Sequence, residues 1–158
     1  MTDILASIEG SALAVWTRES PSIWGYPTIL TLHTFGLAIV VGANAVVDFR
    51  LLGFAPGIPL ASLRQLFPIL WWAFALNLLT GVMLFAADAT TKAGQWVFYL
   101  KLALIAVALL VARAESRVVA QPDPTAGGLG AAKLRTLALL SLIVWTGAIV
   151  AGRLLAYL

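Results

Sequence analysis

The chain has 158 residues, 61% of them hydrophobic and 11% charged, with a mean hydropathy of +0.98; soluble domains average about half apolar and a quarter charged, so this is the composition of a polytopic membrane protein. Its net charge of +3 comes from ten Lys and Arg placed singly between apolar runs, without a basic face or an aromatic-basic stripe, which argues against a nucleic-acid partner. The absence of cysteine excludes disulfides, thiolate metal sites, iron-sulfur clusters and thiol catalysis, and leaves His, Met, carboxylate and backbone as metal ligands.

Residues 1–20 lack the positive n-region and long apolar stretch of a cleavable signal. Ile4, Leu5, Ile8, Leu13, Val15 and Trp16 recur at roughly helical spacing, opposite Asp3, Glu9 and Arg18. This pattern predicts an amphipathic helix at the membrane surface, ended by Ser20 and Pro21.

Residues 21–158 read as a single transmembrane domain of four spans. The first runs from Tyr26 to Val47, with Pro27 in its first turn and Trp24 and Tyr26 suited to an interfacial belt. The second runs from Leu66 to Ala87 without a charge, with Pro68 near its start. The third covers Trp96 to Ala114 and contains Lys101; the fourth covers Leu134 to Leu158 and contains Arg153. Each is close to the roughly 20 residues that cross a bilayer core of about 30 Å. Backbone polar groups in lipid then demand helices, since no alternating pattern offers a closed barrel. Between the third and fourth spans, QPDPTAGGLG predicts a flexible loop over Ser116 to Ala132. The expected fold is all-α: a membrane four-helix bundle preceded by an interfacial helix.

Arg50, Arg64, Arg113, Arg117, Lys133 and Arg135 lie toward one side, and Arg18, Lys92, Lys101 and Arg153 toward the other. Six against four places the first and third loops in the cytoplasm and both termini in the periplasm. The polar residues inside the spans also fall into stripes. His33, Val40, Asn44 and Asp48 share one face of the first span, Asn77, Gly81 and Asp88 one of the second, and Thr146 and Arg153 one of the fourth. Such residues are costly in lipid and usually face a bundle interior or a wet cavity.

The sole histidine lies about 10 Å below the outer end of its span. Lys101, Arg153 and Asp88 share that end, so four ionisable side chains from four helices converge there. Neutral imidazole is a suitable iron ligand. Gly36, one turn away, would leave space for a flat macrocycle, and Lys101 and Arg153 would pair with its carboxylates. His33, Met83 and Asp88 form an alternative metal set. Against these stand bland readings: His33 hydrogen-bonding across the bundle, Lys101 and Arg153 snorkelling to headgroups, Asp48 pairing with Arg50, Arg64 or Arg113 at the inner boundary, and Trp71 and Trp72 as packing or interface anchors. Gly36, Ala38, Gly42, Ala43 and Ala45 would let another helix approach closely.

The block YPTILTLHTFGLAIVVGANAVVDFRLLG, continued by FALNLLTGVMLFAADA and WVFYLKLALI, resembles a family of small bacterial inner-membrane proteins catalogued as a domain of unknown function. That resemblance brings no chemistry with it. A weaker one, to CopD-type copper-resistance and b-type cytochrome membrane domains, rests on a transmembrane His near one leaflet followed by small residues. It implies haem b or copper. Such cytochromes typically pair histidines, and this chain has one, which leaves a five-coordinate haem, a His33 and Met83 pair, or two His33 residues meeting across an oligomer.

Three functions stay open: an electron-transfer subunit with haem b on His33; copper or other cation handling at the periplasmic face; and a cofactor-free accessory subunit of a larger membrane complex or homo-oligomer. An independent enzyme is the lesser expectation, since the single His has no nucleophile and acid arranged around it.

Overall fold

The computed structural model describes residues 2–120 and 128–157. Helices α1 (Thr2–Glu9) and α2 (Ala12–Glu19) precede the long α3 (Tyr26–Leu52). The short α4 (Leu60–Leu63) leads into α5 (Leu66–Ala86), and α6 (Ala89–Gly94) connects it to α7 (Trp96–Val119) and α8 (Gly128–Leu154). No strand occurs among the described residues.

The expected single surface helix is two helices. Gly10 is a weak helix former, and Ser11 caps α2 by accepting a hydrogen bond from the Ala14 N–H. The pair is docked on the bundle: Ala14 and Thr17 are fully buried, α2 packs on α5 and α3, and α1 packs on α6. Pro27 opens α3 within its first turn, and Gly53 closes it in the left-handed conformation, φ 103°.

Helix α7 continues beyond the expected Ala114 to Val119, and α8 begins at Gly128, ahead of Leu134. Both ends of the predicted 116–132 loop are therefore helical, while 121–127 lies outside the described residues.

Helix α3 packs along α5 and α7 along α8, and the two pairs join through α3 on α8. Helices α3 and α5 approach closely at Gly36, where an added Cβ would stand 3.1 Å from the Ala73 carbonyl oxygen. Apolar core residues such as Val40, Leu70, Ala108 and Val144 fill the middle, and Val47, Phe67, Val119 and Ala138 the half toward α4. Outward faces are apolar as well: Phe35, Trp72, Leu110 and Ile143 are all more than half exposed. A water-soluble monomer rarely exposes so large an apolar belt, and the four long helices that carry it are each long enough to cross a bilayer. The molecule is a multi-pass membrane bundle.

Candidate functional site

At the end of the bundle that carries α1 and α2, residues of all four long helices line a cavity of about 550 Å³. His33 from α3, Gly81 from α5, Lys101 from α7 and Gly152 from α8 line it, and Glu9, Arg18, Asp88 and Lys92 contribute to the lining from α1, α2, the α5–α6 connection and α6.

His33 is held by α5. Its Nδ1 lies 3.0 Å from the Asn77 carbonyl oxygen and 3.1 Å from Thr80 Oγ1. A carbonyl only accepts, so the neutral ring carries its hydrogen on Nδ1 and leaves the lone pair on Nε2. In return, Asn77 Nδ2 donates to the His33 carbonyl oxygen at 2.7 Å. Two polar residues of the predicted stripes thus clasp α3 to α5 while fixing the imidazole. Gly81 makes the fit: a Cβ there would meet His33 Cε1 at 3.1 Å.

Lys101 enters from α7 across Gly152, whose added Cβ would touch the lysine Cε at 3.5 Å. The side chain lies against α8 at Gly152, within the cavity lining. Other cations at the site are engaged. Arg18 donates to the Ala87 carbonyl at 3.0 Å and pairs with Glu19 at 2.8 Å and Glu9 at 3.5 Å. Lys92 donates to the Leu155 carbonyl at 3.1 Å and lies 3.5 Å from Asp88. Both therefore cap carbonyls near the C-terminal ends of α5 and α8, where positive charge is favoured. Among the described lining residues, Lys101 is the cation left without an ion-pair or hydrogen-bond partner.

Glu9 ties the N-terminal helices to the rim, accepting from the Thr90 hydroxyl at 2.6 Å and the Thr90 backbone N–H at 2.9 Å. These two bonds, aided by Arg18, hold its carboxyl below the ordinary 4.5 against a smaller opposing effect of burial. A carboxyl lowered on folding stabilises the docked state above its unfolded value, and that contribution fades as pH falls through the folded one. Protection of the Thr90 amide against hydrogen exchange, relative to the unstructured amide at the same pH, is therefore expected to fall below about pH 4.5, and Glu9→Gln to show weakened protection and lose that pH response.

Of the residues proposed for a macrocycle, the structure brings His33 and Lys101 into one cavity and separates the other two. Gly36 is occupied by helix packing, with Ala73 and Asn77 where the macrocycle was expected. Arg153 faces outward, donating to the Tyr157 hydroxyl at 2.8 Å with its guanidinium 5.1 Å from that ring's centre. Thr146, on the same stripe, is exposed too. Of the proposed metal set, His33 and Asp88 line the cavity and Met83 does not. Asp48 makes no ion pair with Arg50, Arg64 or Arg113 among the described residues: it is buried beside Asn44, while Arg50 donates to the Ile58 and Pro56 carbonyls of the following loop. Trp71 packs edge-on against Phe74, and Trp72 is 79% exposed. Thr80, Gly81 and Gly152 were not singled out as site residues by the sequence; Gly81 alone had a visible signal, its place on the Asn77 stripe.

The cavity combines an oriented imidazole, an unpaired ammonium and apolar walls from Leu30, Leu84, Phe85 and Phe98. Such a site can ligate one metal centre through Nε2 and neutralise one acidic group. Comparison of the chain with family models, curated proteins and solved structures returns no match.

Proposed function

We propose that this protein is a small electron-transfer membrane subunit that binds one haem b in the cavity, with His33 Nε2 as axial ligand and Lys101 as partner of a propionate. The observation that carries the reading is the orientation of His33. Metal-ligating histidines almost always donate their other ring N–H to a carbonyl or carboxylate, which fixes the tautomer and raises the basicity of the ligating nitrogen; the Asn77 carbonyl provides this acceptor. Gly81 and Gly152 keep the ring and the lysine stem free of steric contact. Haem would supply one-electron redox chemistry.

Charge favours this ligand over a free copper ion. With Arg18 paired to Glu19 and Glu9 and Lys92 to Asp88, the charge left unpaired in the lining is the Lys101 ammonium, which attracts an anionic ligand and disfavours a lone cation. With Met83 away from the lining, one chain offers a single strong ligand, so the haem is five-coordinate unless a second copy supplies another His33. The basic-residue bias supports placement in a bacterial inner membrane with the cavity on the periplasmic side.

Titration of the detergent-purified protein with haemin tests the ligand. One equivalent per chain is expected to saturate the Soret change in the wild type. His33→Ala should abolish saturable binding, and Lys101→Gln should weaken it by roughly tenfold, the scale of one charge-assisted hydrogen bond of about 1.5 kcal/mol. Saturable wild-type affinity in His33→Ala would overturn the assignment.

A further inference from the structure

A second polar cluster lies in the other half of the bundle, independent of any ligand at His33. Asn44 and Asp48 are 11 and 15 residues along α3 from His33, about 16 and 22 Å at 1.5 Å per residue. Apolar Val40, Leu70, Ala108 and Val144 pack between the two regions. The cluster is assembled by three helices: Asn44 and Asp48 from α3, Glu115 from α7 and Ser141 from α8, none of them more than 1% exposed.

Hydrogen bonding within the cluster is incomplete in one particular way. Asn44 Nδ2 donates to Asp48 Oδ2 at 2.8 Å and to the Ser141 hydroxyl. Glu115 comes within hydrogen-bonding reach of Asp48, carboxyl to carboxyl. Yet Asp48 Oδ1, both carboxyl oxygens of Glu115 and the Asn44 amide oxygen, all buried, have no donor. These four atoms are acceptors; the buried donor without a partner among the described residues of the same helices is Trp145 Nε1, one turn from Ser141 on α8. No Arg, Lys or His among the described residues pairs with either carboxyl. Arg50 is turned to loop carbonyls, and Arg64, Arg113, Arg117 and Arg135 are exposed.

Two adjacent carboxylates cannot both stay ionised without a counter-charge, and a buried acceptor without a donor is costly. A proton removes both problems at once: it cancels one negative charge and turns the carboxyl contact into an O–H···O⁻ hydrogen bond, the short and strong kind. We propose that Asp48 and Glu115 form a proton-binding site, a carboxylic acid and a carboxylate sharing one hydrogen, with Asn44, itself bonded to Ser141, holding Asp48 in place. Buried carboxyls of this kind serve as proton relays in membrane proteins. The site gives the bundle a proton-holding function beyond the electron-transfer reading and separate from its cavity.

Infrared spectroscopy of the full-length protein in detergent at neutral pH tests this. The wild type should show a carboxylic-acid carbonyl band that moves to lower frequency in D2O. Glu115→Gln and Asp48→Asn should each lose it, because each leaves one carboxylate with an amide donor in place of the acid. Should either variant fail to fold, wild-type protein isotope-labelled at the carboxyl carbons of glutamate or of aspartate should shift the band with one label. Absence of the band, its persistence at wild-type intensity in both variants, or insensitivity to both labels would overturn the proposal. So would its loss when sodium replaces choline in the buffer, which would assign the site to a metal cation.

Discussion

Gly36→Val is expected to destabilise the bundle by about 1–3 kcal/mol, the range for forcing extra carbon into a packed interior. An added Cβ would stand 3.1 Å from the Ala73 carbonyl oxygen and 3.2 Å from the Asn77 backbone nitrogen and Cβ. Those atoms belong largely to the α5 backbone and cannot rotate aside, so α3 and α5 must separate. Separation also stretches the Asn77 bond to the His33 carbonyl, now 2.7 Å. Gly42→Val is the control, since a Cβ there meets nothing within 4 Å; it should stay within about 0.5 kcal/mol of wild type. Reversible unfolding of both variants in mixed micelles measures the difference, and equal stabilities would contradict the packing described for Gly36.

Gly81→Val is expected to act on the ligand and spare the fold. Its Cβ would meet His33 Cε1 at 3.1 Å and Nδ1 at 3.5 Å. The obstacle is the end of a flexible side chain facing a cavity, so the imidazole turns away and the helices stay in place. Turning breaks the bond to the Asn77 carbonyl that fixes the tautomer. Loss of a ligand-orienting bond typically costs about 10–100-fold in affinity, and the haemin titration should show a loss of that size, with stability lowered by no more than the roughly 0.5–1.5 kcal/mol of one hydrogen bond. Unaltered binding would mean that the orientation of His33 does not matter to the ligand.

Much of the fold was legible because lipid imposes one rule: long apolar runs must be helices. The same rule hides which way each helix faces. When both lipid-facing and buried sides are apolar, hydrophobic periodicity carries little information, and only polar and small residues mark the interior. The His33, Asn44 and Asp48 stripe points inward as expected, and Asn77 meets His33. The Thr146 and Arg153 stripe is equally regular but faces out, because phase relates residues to each other and not to the bundle; Arg153 finds Tyr157 one turn on. The small residues of α3 divide in the same way, with Gly36 against α5 and Gly42 open.

Glu115 was missed because Arg113 and Arg117 beside it resemble a loop boundary. A signal existed: Lys101, Ala108 and Glu115 recur every seven residues, and Ala108, Glu115 and Val119 are all buried along one face. The roles of Gly81 and Gly152 depend on side chains from other helices, His33 and Lys101, and no spacing within a single helix reveals them.

The reduced-minus-oxidised visible spectrum of protein purified from its native membrane, alongside His33→Ala, tests the central claim most directly. A b-type haem spectrum in the wild type, lost in the variant while the bundle stays folded, is the predicted result. A folded, colourless wild-type preparation that takes up no haemin, or a haem spectrum unchanged by His33→Ala, would contradict it.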